Sequence, residues 1–224
     1  MSMIAIPFAV DISKIKSVFG CKDAELMEKI KKADLYDHYA SQDDDFPNPK
    51  YQYNFDDALE DILFKYIKPS ERKQKSGFLG FFKSKTNTGL DERIAHGYGY
   101  VLLVICDYFG THLLPQCDGF YYGEDFEAAS EIMKEHGLQL DLGDMFEQHE
   151  VFDIPKITGF PAIRHFTKSE IAHINSIMNK IEINESETDF DNEDFDEVQE
   201  MLKSIKDSFK YCEEHNTEMI TFTH

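Results

Sequence analysis

The sequence predicts an α+β protein, mostly helical, with one small sheet that includes the N- and C-terminal strands. Three observations carry this reading. Apolar residues recur at helical spacing in several separate stretches. Strand-like runs are confined to the two chain ends and to residues 162–166. The 224-residue chain has 42% hydrophobic residues and 19 Phe, ample for a core. We read residues 1–224 as a single domain. It carries a flexible basic and aromatic insertion at about 68–90 and an acidic loop at about 182–194. No internal repeat is present.

Residues 3–9 alternate weakly through Ile4, Ile6 and Phe8 and read as a strand, which Pro7 pushes towards an edge or a bulge. Asp11 or Ser13 opens a short helix that stops at Gly20. A second helix runs from about Asp23 to Tyr36. Residues 41–50, with two prolines, form a polar loop. Phe55, Leu59, Ile62, Leu63 and Tyr66 lie on one face of a helix that begins with Asp56 and Asp57, placing acids at its positive end. Ile94, Tyr98, Val101, Leu102, Ile105 and Phe109 then mark the most apolar helix of the chain, between Asp91 and Gly110. Gly97 and Gly99 each cost roughly 1 kcal/mol there relative to alanine, so a close packing approach is expected at that point.

THLLPQCDG reads as a loop, and Phe120–Tyr122 as a short strand or edge. Residues 124–136 form an amphipathic helix ending at Gly137. Residues 138–148 are short and mixed, and 151–163 are a Pro-interrupted crossing into a strand at 162–166. Thr167 followed by Glu170 fits a capping box for a helix that buries Ile171, Ile174, Ile177, Met178 and Ile181. A helix from about Phe195 to Cys212 buries Val198, Met201, Leu202, Ile205 and Phe209, and MITF at 219–222 is the last strand.

The formal net charge is −20, from 43 acids against 23 bases. Nucleic-acid binders carry basic faces, and anionic membranes attract cations, so neither partner is expected. A basic protein partner steered in by charge fits this balance. Four scattered cysteines, with no CxxC, read as reduced thiols of a cytoplasmic protein. The N-terminal apolar run has no basic region before it and meets Asp11, so it does not read as a signal peptide. No apolar run has transmembrane length.

Candidate chemistry is sparse. Residues 189–200 place acids at calcium-loop positions one, three, five and twelve, but the sixth position, where the turn needs glycine, is Asp194. The nine histidines form no HExxH or HxxxH pair on an expected helix. No GxSxG is present, and Cys117 with His112 is the least poor thiol–base pair. GFLGF lacks the GK[ST] of a phosphate loop. We therefore expect no catalytic residue, no metal and no cofactor.

Several blocks carry a resemblance. These are the opening strand with DISKI and FGCKDAEL, the central HGYGYVLLVICDYFG, FPAIRHFTKSEI, and the closing ITFTH. Together they resemble an uncharacterised bacterial family of cytosolic proteins. The opening MSMI and the closing strand are also faintly similar to YfbM-like proteins. Neither resemblance brings a catalytic residue with it.

The expected function is that of a non-enzymatic bacterial protein-binding protein, of the immunity type that neutralises a toxin or effector. Acidic faces capture basic partners rapidly. The partner-facing candidates are Asp43, Asp44, Asp45, Glu187, Asp189, Asp191, Glu193, Asp194, Asp196 and Glu197. Two alternatives remain open: a small-molecule pocket or enzyme site around His96, Tyr98 and Tyr100, or an oligomeric housekeeping domain.

Overall fold

The computed structural model describes residues 3–41, 53–72, 88–115, 119–183 and 197–224. Backbone contacts group the chain into two compact units. One comprises Met1–Asp11, Gly110–Val151 and Gly159–His224; the other comprises Ile12–Phe109 and Phe152–Thr158.

The first unit holds the sheet. Strands β1 (Ile4–Val10), β2 (Thr111–His112), β3 (Phe120–Tyr121), β4 (Ala162–Phe166) and β5 (Glu218–Thr223) pair antiparallel throughout. The order is β2-β1-β5-β4, and β3 also pairs β1. The terminal strands are direct neighbours, with Ala5 opposite Thr223 and Val10 opposite Glu218. The sheet is thus the one expected from the chain ends, but Pro7 lies in an interior strand. Its carbonyl accepts from the Leu113 N–H at 3.0 Å. In an antiparallel strand a residue's N and C=O face the same neighbour. The Pro7 nitrogen therefore faces Leu113, just past the end of β2, so the β5 side of the ladder is untouched and this pair keeps one bond where another residue could make two.

Three helices cover one face: α6 (Glu124–Glu135), α7 (Lys168–Met178) and α8 (Glu197–Glu214). Ala5 and Ala9 of β1 and Phe166 and Met219 of the neighbouring strands form one core with Phe126 and Met133 of α6, Ile174 and Met178 of α7, and Ile205 and Phe209 of α8. The opposite sheet face, with Ile6, Phe8, Ile220 and Phe222, is buried too. The capping box at α7 closes in both directions: Thr167 N–H donates to Glu170 Oε2 at 2.8 Å, and Glu170 N–H donates to Thr167 Oγ1 at 3.4 Å. The other oxygen of Glu170 accepts from Arg164 Nη2 at 2.6 Å, tying the cap to β4. Buried Asn175 donates to the Phe209 carbonyl at 3.1 Å and to Glu213 at 2.8 Å, linking α7 to α8.

The second unit is helical: α1 (Ile12–Val18), α2 (Ala24–Ile30), α3 (Tyr36–Ala40), α4 (Phe55–Glu60) and α5 (Ala95–Phe109). The helix expected from Asp23 to Tyr36 ends at Ile30, and α3 is separate. A π-helical turn, Asp61–Lys65, continues α4. Helix α5 packs against α1, α2, α3 and α4, as its nearly all-round apolar surface requires. Gly97 is where Tyr53 closes in: a Cβ there would lie 2.6 Å from the ring. The glycine answers to an aromatic side chain rather than to another backbone. Residues 152–158 belong to this unit because Phe152 stacks on Phe19 (5.8 Å between centroids) and Asp153 accepts from the Tyr66 hydroxyl at 2.9 Å. No helix of the described residues is long and apolar enough to cross a membrane.

Candidate functional site

Between residues 119 and 151, all within the sheet-bearing unit, the sequence carries nine Asp or Glu and one lysine, Lys134. Two of these acids, Glu127 and Asp141, act electrostatically on one aromatic side chain, Tyr122. Gly123 leads into α6, whose first turn holds Glu124, Asp125 and Glu127, in keeping with the positive helix start. A 3-10 turn, Leu142–Phe146, is opened by Asp141, whose side chain accepts from the Gly143 N–H at 2.9 Å. Tyr122 lies between these two acidic segments. Its N–H donates to the Met3 carbonyl at 2.9 Å, which fixes its backbone beside β1.

The Tyr122 ring meets Phe146 edge-on at 5.0 Å and lies 6.2 Å from Phe126, while remaining 39% exposed. The nearby Glu127 carboxylate, with a smaller contribution from Asp141, pushes its hydroxyl pKa up. Tyr121 beside it is 47% exposed. Asp125, at the start of α6, raises the pKa of Glu197 at the start of α8. Lys134 is paired with Glu131 at 3.0 Å.

The 3-10 turn is anchored from below. The Met145 carbonyl accepts from the buried Thr221 and Thr223 hydroxyls at 3.1 and 3.0 Å. The chain then runs along the edge of β4, where His149 N–H donates to the Ile163 carbonyl at 2.9 Å and Gln148 accepts from Ile163 N–H at 3.2 Å. This route brings Asp144, Glu147 and His149 together, with donor atoms within 4.8 Å of one another. Among the described residues they are the set able to offer three ligands to a metal ion, of the carboxylate and imidazole types. The segment 119–151 thus combines a high density of acids with the exposed rings of Tyr121 and Tyr122.

Of the acidic residues singled out from sequence, Glu197 is described and is exposed at the start of α8. Asp43, Asp44, Asp45, Glu187, Asp189, Asp191, Glu193, Asp194 and Asp196 lie outside the described residues, as do most of the 68–90 insertion, the 184–194 part of the acidic loop, and Cys117. The 119–151 acids were not picked out, because one acid every few residues along a helix looks like an ordinary solvated face.

The central-helix trio is held by different partners. His96 packs edge-on against Tyr53, 5.0 Å between centroids. Tyr98 is fully buried; its hydroxyl accepts from Asp91 N–H at 2.9 Å and donates to Asp61 at 2.8 Å. Tyr100 stacks on Tyr39 at 5.3 Å. Cys106 and Cys212 are fully buried, and burial pushes both thiols up, Cys212 to about 12. A thiolate is the reactive form. Iodoacetamide at pH 8 is therefore expected to leave Cys106 and Cys212 unmodified in the folded protein and to label both in denaturant. Peptide mass mapping that finds either labelled faster than the protein unfolds would contradict this placement.

A family described as "Domain of unknown function (DUF7691)" matches residues 1–224, and the chain belongs to it. No curated protein and no solved structure matches the chain.

Proposed function

We propose that this member of the family is a non-enzymatic protein-binding protein that captures a basic protein, in the manner of an immunity protein neutralising a toxin or effector. The observation that carries this reading is the concentration of acids on 119–151, nine against one lysine, around exposed Tyr121 and Tyr122 in a chain of net charge −20. Long-range attraction of this kind speeds encounter with a positively charged partner, and salt screens it over about 8 Å at physiological ionic strength. The acids at 43–45 and 187–197 add to the net charge.

Affinity capture of the tagged protein from its own cells, at low and high salt, tests the reading. The expected result is one stoichiometric basic partner at about 50 mM salt, lost at about 500 mM because the Debye length shrinks several-fold. The purified partner should then bind wild type at least tenfold more tightly than the triple variant Glu127→Gln, Asp141→Asn, Asp144→Asn. Recovery of no stoichiometric partner at either salt overturns the proposal.

A further inference from the structure

We propose that Asp144, Glu147 and His149 form a binding site for a divalent metal ion of the zinc class, a site that does not depend on the protein-binding reading. Their carboxylate and imidazole donor atoms all lie within 4.8 Å of one another. Local geometry produces this convergence. Side chains three positions apart eclipse in a 3-10 turn, and Glu147 caps such a turn by donating its N–H to the Asp144 carbonyl at 3.0 Å. The chain is extended at Glu147, and alternate side chains of an extended chain share a side. Gln148 turns its side chain to β4, where it accepts from Ile163 N–H at 3.2 Å, which leaves Glu147 and His149 together on the other side. The backbone that carries the three is fixed by bonds outside the set. The Met145 carbonyl accepts from the Thr221 and Thr223 hydroxyls, and His149 N–H donates to the Ile163 carbonyl at 2.9 Å. Ligands held on such a frame lose little entropy on binding. They fall on a turn and an extended segment, so a search for histidine pairs on helices passes over them.

A second observation is the absence of any competing partner. Among the described residues, no lysine, arginine or histidine is ion-paired with Asp144 or Glu147, and Lys134, the one lysine of 119–151, is engaged by Glu131 at 3.0 Å. The three donors converge without bonding one another, as groups arranged around a common ion do. Ligands about 2.1 Å from a tetrahedral zinc stand about 3.4 Å apart, so a small side-chain adjustment closes the set. The imidazole decides the class of metal. Calcium and magnesium take oxygen ligands, whereas imidazole with carboxylate suits zinc and its neighbours in the first transition row. Three protein ligands leave a position for water.

The test titrates zinc and calcium into the chelator-treated full chain by isothermal calorimetry, at about 100 mM salt to screen diffuse attraction to the acidic surface. Wild type is expected to bind zinc at a saturable site, at least tenfold more tightly than calcium. Glu147→Gln with His149→Asn should weaken zinc at least tenfold. Glu127→Gln, which removes the same one negative charge away from the set, should change it less than about twofold. Cobalt gives a second readout, visible ligand-field bands that the double variant loses. Glu147 is exposed, so Glu147→Gln alone keeps the fold and should weaken zinc about threefold or more; it decides the matter if the double variant fails to fold. No saturable zinc site, calcium bound as tightly as zinc, or variants that bind zinc as wild type does each overturn the metal site. None of these results touches the basic-partner reading, whose test reads a captured protein.

Discussion

Phe209→Ala is expected to lower the free energy of unfolding by about 3–5 kcal/mol. Phe209 is fully buried on α8, and its ring stands edge-on to Phe166 of β4, 5.3 Å between centroids at 88°. Truncation removes the apolar contact with the sheet and leaves a cavity that α7 and α8 cannot easily close. Their spacing is held by Asn175, which bonds the backbone carbonyl of Phe209 itself and survives the substitution. The aromatic pair adds about 0.5–1.5 kcal/mol beyond its buried area. Guanidinium denaturation followed by circular dichroism checks this: the midpoint should fall with the slope unchanged. Tyr121→Ala, at a side chain 47% exposed, is the comparison and should cost under about 1 kcal/mol. A loss below about 1 kcal/mol for Phe209→Ala would mean that α8 does not sit on the sheet as described.

Phe209 also marks what the sequence made legible. It lies on a face with Leu202 and Ile205, and that spacing alone places it against a core. Thr167 and Glu170 announced the start of α7 because a capping box is a local device, complete within four residues. The terminal strands were readable as runs of β-branched and aromatic residues. The two residues of β2 were not, since two residues cannot show a period, and Thr111 and His112 are a strand only because Phe8 and Ala9 lie opposite. Pro7 argued for an edge position, and that its nitrogen faces Leu113 at the end of β2 rather than β5 is a tertiary fact. The acidic surface was hidden for a related reason. Glu127 and Asp141 are fourteen positions apart, and nothing in their spacing says that both act on the Tyr122 hydroxyl. Acid density along the chain pointed instead at 43–45 and 187–197. Tyr98 was visible as a buried position on α5, but its partners Asp61 and Asp91 come from different segments, and the purpose of a phenol there had no local signature.

That purpose predicts the second large effect. Tyr98→Phe should cost about 1.5–3 kcal/mol, the range for hydrogen bonds that involve a charged group. The hydroxyl accepts from Asp91 N–H at 2.9 Å and donates to Asp61 at 2.8 Å, so it joins the entry to α5 with the π-helical turn after α4. Asp61 is held in place by Lys65, 2.6 Å away on the same turn. Removing the hydroxyl leaves a buried carboxylate oxygen short of a donor. In a double-mutant cycle with the near-isosteric Asp61→Leu, the two losses should couple by about 0.5–3 kcal/mol, because each breaks the same bond. The pH dependence gives an independent check. Burial raises the Tyr98 pKa above its ordinary value, donation to Asp61 adds to this, and the bond from Asp91 N–H opposes it. A raised pKa means that the stabilisation is complete below the unfolded tyrosine value of about 10 and declines above it, where the unfolded chain releases the proton first. The stability difference between wild type and Tyr98→Phe should therefore be constant from about pH 7 to 9. It should shrink by roughly 1.4 kcal/mol for each pH unit well above 10. A difference that stays constant to about pH 11.5 would show that this hydroxyl is not the buried donor to Asp61.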